Sequence, residues 1–95
     1  MQRRSAQPQQ QVTEGRFEIE DHGRIAFLEY SLAGNVLRLI HTEVPQELQG
    51  KGVASELAKS ALDWAREHGI KVDVICEFVG SYLRRHPEYA DLVLR

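Results

Sequence analysis

The run His41-Thr42-Glu43-Val44-Pro45-Gln46-Glu47-Leu48-Gln49-Gly50-Lys51-Gly52-Val53-Ala54 joins the end of a predicted strand to the opening turn of a long predicted helix. Gly50 and Gly52 stand in the loop between them, and without a Cβ they let a ligand come close to the main chain. The first amides of such a helix have no partner within it, and the helix dipole makes that end partly positive. A loop of this kind is a socket for an anionic group, most often a phosphate, and Lys51 adds a full positive charge beside it. The plainer reading is a loop whose glycines only permit a tight turn, since two glycines near a helix start are a weak signal by themselves.

The wider string narrows the choice. Gln49-Gly50-Lys51-Gly52-Val53-Ala54 fits Gln/Arg-x-x-Gly-x-Gly/Ala, and Val44-Pro45 leads into it. In this it resembles the acetyl-CoA pyrophosphate loop of the GNAT acetyltransferase superfamily. A nucleoside-triphosphate P-loop needs four residues between its glycines and then Gly-Lys-Ser/Thr, and a dinucleotide fingerprint needs a glycine or alanine where Ser55 stands. Neither pattern is met, which leaves a phosphate socket of the coenzyme A kind.

Size and composition agree with a small soluble domain. Ninety-five residues make one domain with one core, and the 42% hydrophobic and 27% charged fractions are those of an ordinary globular protein. A formal charge of -2 gives no general attraction to nucleic acid or anionic membranes. The single cysteine excludes an internal disulfide and any zinc site built from several cysteines, so a reducing, cytoplasmic compartment is expected. No apolar run approaches the roughly 20 residues of a membrane span, and Arg3-Arg4 is followed by no apolar stretch of an export signal. The four histidines, at 22, 41, 68 and 86, show no ligand spacing with the cysteine, so no metal is expected.

Along the chain, residues 1–13 contain five glutamines, a proline and no apolar cluster, and are expected to be a disordered tail ahead of a domain over 14–95. Period-two alternation from Arg16 predicts an outer strand through Phe17 and Ile19. Asp21-His22-Gly23 is a turn, and Arg24 to Ser31 is the hairpin partner, apolar on both faces and therefore central in the sheet. Ala33-Gly34-Asn35 turns again into Val36 to Glu43, completing an antiparallel meander. Ala54, Leu57, Ala58, Ala61, Leu62 and Ala65 lie on one face of a helix from Val53 to about His68, which Gly69 ends. Lys71 to about Cys76 is a short β-branched strand, parallel to the one ending near Val44 if the crossover is right-handed. Phe78 to Arg85 predicts a short helix stopped by Pro87, and Glu88 to Arg95 adds a turn through Tyr89, Leu92 and Val93.

This α/β (α+β) order of elements, a meander, a glycine-loop helix, a parallel strand and a short helix, is similar to the core of a GNAT domain. More narrowly it resembles the minimal YjdJ-type group of predicted acetyltransferases, through His41 to Val44, Gly50 to Ala54, Cys76-Glu77-Phe78-Val79 and Tyr82-Leu83-Arg84-Arg85-His86-Pro87-Glu88-Tyr89. Resemblance covers about Arg16 to Val93. It implies an acetyl-CoA-dependent N-acetyltransferase acting on an amine, with main-chain groups around Glu43 and Val44 pairing with the pantetheine arm. It also implies that the loop amides of Gln49, Gly50, Lys51, Gly52, Val53 and Ala54 hold the pyrophosphate. Larger GNAT enzymes insert one or two helices where only Asp21-His22-Gly23 stands here, so the acceptor side should be open and the acceptor cannot be inferred by analogy.

Four side chains carry candidate chemistry. Cys76 falls near a strand end at the expected cleft, where its thiol could take the acetyl group or protonate the departing thiolate; the alternative is a small buried apolar residue. Tyr82 matches a tyrosine that GNAT enzymes place against the CoA sulfur, or else packs in the core. His41 and Glu43 share a strand face and could deprotonate an ammonium, or be a core histidine and a solvated strand-end charge. Arg85, with Arg84 and His86, could reach the phosphates, or form a solvated cluster. The rival functions are a coenzyme A or acyl-CoA binding module without turnover, and a protein-interaction domain that has lost the cofactor.

Overall fold

The computed structural model describes residues 13–94, and the expected tail lies outside the described residues except for Thr13, which pairs with Leu32 at the start of the first strand. The strands are β1 (Thr13–Asp21), β2 (Arg24–Ala33), β3 (Val36–Glu43) and β4 (Lys71–Val74), in the order β1-β2-β3-β4. The first two pairings are antiparallel and β3 with β4 is parallel. Helix α1 (Val53–Glu67) crosses between β3 and β4, and α2 (Glu77–Arg85) follows β4. Single 3₁₀ segments occupy Gln46–Leu48 and Pro87–Leu92.

The predicted faces explain the packing. Along β1, alternate residues turn towards the helices, so Phe17 and Ile19 pack against the core while Arg16, Glu18 and Glu20 face solvent. Ala26, Leu28, Leu37, Leu39 and Val72 continue that inner face. Helix α1 buries Leu57, Ala58, Ala61, Leu62 and Ala65 against it; each leucine removed from water contributes about 1.5–3 kcal/mol, and the alanines let the helix lie close. Gly69, at φ 66, ends α1 in the left-handed conformation a glycine adopts freely. At the other end of the sheet, Gly15 faces Tyr30 across the β1–β2 ladder, and a Cβ there would meet the Tyr30 hydroxyl at 2.7 Å.

One expectation needs refinement. β2 is central, as its double apolar character predicts, but only its inner face is covered. Both helices lie on the same side of the sheet, and Ile25 and Ile40 remain 44% and 38% exposed on the other. Arg16 partly shields that outer face by laying its guanidinium 3.8 Å above the Phe27 ring. The meander is also less regular than alternation suggests. Glu29 pairs with His41 and Tyr30 with Leu39, so Ile40 is an extra residue bulged out of β3.

Candidate functional site

The site begins where β3 and β4 part. Their ladder ends at Leu39 with Val74. The Leu39 carbonyl then accepts from two amides, those of Ile75 and Cys76, each at 2.9 Å. Among the described residues no main-chain bond joins β3 to the other branch beyond that oxygen. Ile40 to Val44 thus forms one arm of a fork and Cys76 opens the other.

Bulging at Ile40 resets the faces of the arm. His41 and Glu43 turn to the outer face, their side chains mostly exposed and joined by a 3.0 Å contact between Nε2 and Oε1. Thr42 turns the other way and is half-buried. Its Oγ1 lies 3.2 Å from Cys76 Sγ, in a hydrogen bond that either group can donate. Cys76 is 8% exposed and caps the first turn of α2. Thr42 and Cys76 are thereby brought together across the fork, a contact that sequence reasoning missed. Nothing in the sequence signals a contact across 34 positions; only the parallel placement of β4 creates it.

The glycine loop lies immediately beyond the arm. Gly50 and Gly52 have φ of 81 and 77, values that side-chain-bearing residues avoid, and a Cβ on either would project into open space. Gly52 is the N-cap of α1, and its carbonyl accepts from the Glu56 amide at 3.0 Å. Among the described residues the amides of Gly50, Lys51, Gly52, Val53, Ala54 and Ser55 donate to no main-chain carbonyl. Those amides, the dipole of a fifteen-residue helix and the exposed Lys51 make a fitting cradle for a diphosphate. Val53 anchors the loop from beneath, its side chain buried. Gln49 folds back instead, its Nε2 donating to the Val44 carbonyl at 3.1 Å and bracing the link between arm and loop.

The remaining candidates, Tyr82 and Arg85, lie on α2. Tyr82 is buried, stacks on His86 with ring centroids 4.1 Å apart, and makes no hydrogen bond through its hydroxyl among the described residues. Arg85 donates to Ser81 Oγ on its own helix at 3.2 Å. The His-Pro-Glu-Tyr ending is structural: Tyr89 donates to Asp63 Oδ1 at 2.6 Å, and Arg66 holds Asp91 through both guanidinium nitrogens and the Glu88 carbonyl at 2.8 Å. Among the described residues no three His, Cys, Asp or Glu side chains are placed to hold a metal, and no helix is long and apolar enough to cross a membrane.

On the outer face, a groove of about 390 Å³ is lined by Glu14, Gly15, Arg16, Glu29, Tyr30 and Ile40. Glu29 is the register partner of His41, so this groove adjoins the His41–Glu43 pair.

Comparison with known proteins agrees with this geometry. Protein NATD1 of Gallus gallus and of Mus musculus are each 35% identical to this chain over 66 residues, which is 70% of this chain and 60% of theirs. Protein NATD1 of Danio rerio is 29% identical over 75 residues. The chain thus spans about three fifths of the length of the first two of these relatives. The sequence profile described as GCN5-related N-acetyl-transferase matches residues 16–92, from the first strand through the last 3₁₀ segment. Glycine loop, fork and the helix between them all fall inside that match, and the chain belongs to the GCN5-related N-acetyltransferase family.

Proposed function

We propose that this domain transfers an acetyl group from acetyl-CoA to an amine. The observation that carries the reading is the fork: a strand arm free on one side, continuous with a loop whose amides donate to no main-chain carbonyl among the described residues. Bound acetyl-CoA supplies an activated thioester. The amides of Gly50 to Ser55 and the Lys51 ammonium hold its diphosphate, and the open side of the arm around Glu43 and the Val44 amide holds the chain that ends in sulfur, the Val44 carbonyl being engaged by Gln49. Cys76 stands at the root of the fork, and in this reading its thiol acts on the thioester or on the sulfur it releases.

The acceptor must lose a proton before it attacks. In the tautomer whose Nε2–H donates to Glu43, His41 keeps a lone pair on Nδ1, and the carboxylate stabilises the imidazolium formed when that nitrogen takes the proton. The adjoining groove supports a cationic amine as acceptor. Glu14 and Glu29 form no ion pair among the described residues, while Arg16 is engaged by Glu18 and Phe27. A free thiol at the centre suits a reducing compartment such as the cytoplasm.

Incubation with acetyl-CoA followed by mass spectrometry tests the proposal. An acetyl adduct on Cys76, or release of free coenzyme A that depends on an added amine, is expected. Tight binding with neither outcome would leave a coenzyme A binding module in its place.

A further inference from the structure

We propose that Thr42 is the positioning residue for the Cys76 thiol, an inference that rests on the transfer reading above for its purpose but not for its test. A cysteine side chain has three staggered orientations about its first bond. The backbone of Cys76 is already held by the hydrogen bond its N–H donates to the Leu39 carbonyl, so only that rotation is left to settle where the sulfur points. The Thr42 hydroxyl settles it, since the 3.2 Å contact is made from the opposite arm of the fork.

The same hydroxyl can keep its contact whichever partner donates. As a thiol, Cys76 can donate its S–H to Thr42 Oγ1. When the proton leaves to solvent, the hydroxyl turns and donates its own hydrogen to the sulfur, so the contact survives ionisation with donor and acceptor exchanged. The thiolate is the nucleophile, and a contact kept in both forms holds the sulfur in one orientation as it reacts. Thr42 is β-branched, with few orientations of its own, and it sits in a strand that fixes its backbone. The hydroxyl is therefore delivered to the sulfur with little ordering left to do. Valine has the same shape without the oxygen, and serine keeps the oxygen without the methyl.

The test uses the rate at which iodoacetamide alkylates the protein at neutral pH, with no coenzyme present. Cys76 is the one cysteine in the chain, so mass spectrometry reads that rate directly. Thr42→Val is expected to slow alkylation about five- to tenfold, the net worth of one ordinary hydrogen bond, and Thr42→Ser to stay within about twofold of the parent on the same scale. Loss of packing alone has the opposite sign, because uncovering a buried sulfur speeds its reaction. Thr42→Ala, which removes oxygen and methyl together, is expected to react more slowly than Thr42→Ser despite its looser packing, and circular dichroism checks that each variant folds. Alkylation of Thr42→Val as fast as the parent, or of Thr42→Ser as slow as Thr42→Val, would overturn the assignment. Acetylation by acetyl-CoA is scored separately: a slowed Thr42→Val in a protein that acetyl-CoA never modifies keeps the positioning role and rejects the transfer.

Discussion

Asp63 is held from two sides. Lys59 contacts one carboxylate oxygen at 2.8 Å and Tyr89 donates to the other at 2.6 Å. The Lys59 hydrogen bond first, and the Tyr89 bond second, hold the Asp63 carboxyl below its ordinary range, while the bond to Asp63 holds the Tyr89 phenol above its own. The signs follow from linkage. A lowered carboxyl contributes stability above its unfolded pKa, and this is lost as pH falls through the folded value. A raised phenol contributes stability below its unfolded pKa, and this is lost as pH rises through the folded value. Tyr89→Phe should cost about 1–2 kcal/mol in urea unfolding, the lower part of the range for a bond to a charged group, because the carboxylate is partly solvated. Asp63→Asn should flatten the acid limb of a stability-against-pH curve. Two glycines give opposite predictions. Gly52→Ala forces a left-handed residue and should destabilise by about 1–2 kcal/mol; Gly80→Ala lies inside α2 with open space around it and should stabilise by about 0.5–1 kcal/mol.

Among the elements, periodicity carried most of the information. Alternation in Phe17 and Ile19 and the 3.6-residue recurrence from Leu57 to Ala65 place β1 and α1 to within a few residues of where they lie. Local pattern does not report which side of a sheet is covered, so β2 reads as apolar on both faces although Ile25 remains 44% exposed on the outer one. Nor does it report the bulge at Ile40, which inserts without breaking the apolar run of β3. The glycine loop was legible because φ above zero demands glycine, and Cys76 because β4 had to end near it. Tyr82 and Arg85 were legible as residues but not as geometry, since one stacks on His86 and the other leans on Ser81. The last segment was the least readable. Its attachment runs through Arg66 to Asp91, Lys71 to the Asp91 carbonyl at 2.8 Å, and a parallel bridge between Val72 and Val93. Arg66→Ala should therefore loosen that segment well before the sheet, raising hydrogen exchange at the Leu94 amide while the β2 amides stay protected.

For the molecule as a whole, an uncovered sheet face and a fork at one end divide the work. One side packs helices and supplies stability; the other stays accessible, which is where the proposed reaction would take its acceptor. Coenzyme A at about 100 times its Kd should raise unfolding free energy by about 2.7 kcal/mol, and Gly52→Ala should weaken that response beyond its own cost in stability. No shift at saturating coenzyme would reject both the enzyme and the binding-module readings. The crotch of the fork imposes a further behaviour. One carbonyl oxygen, that of Leu39, serves two successive amides, so the two branches cannot unzip there one rung at a time. Isotope exchange at Ile75 and Cys76 should follow a single shared rate, and a ligand wedged between the branches should slow both together, like a latch with two teeth on one catch.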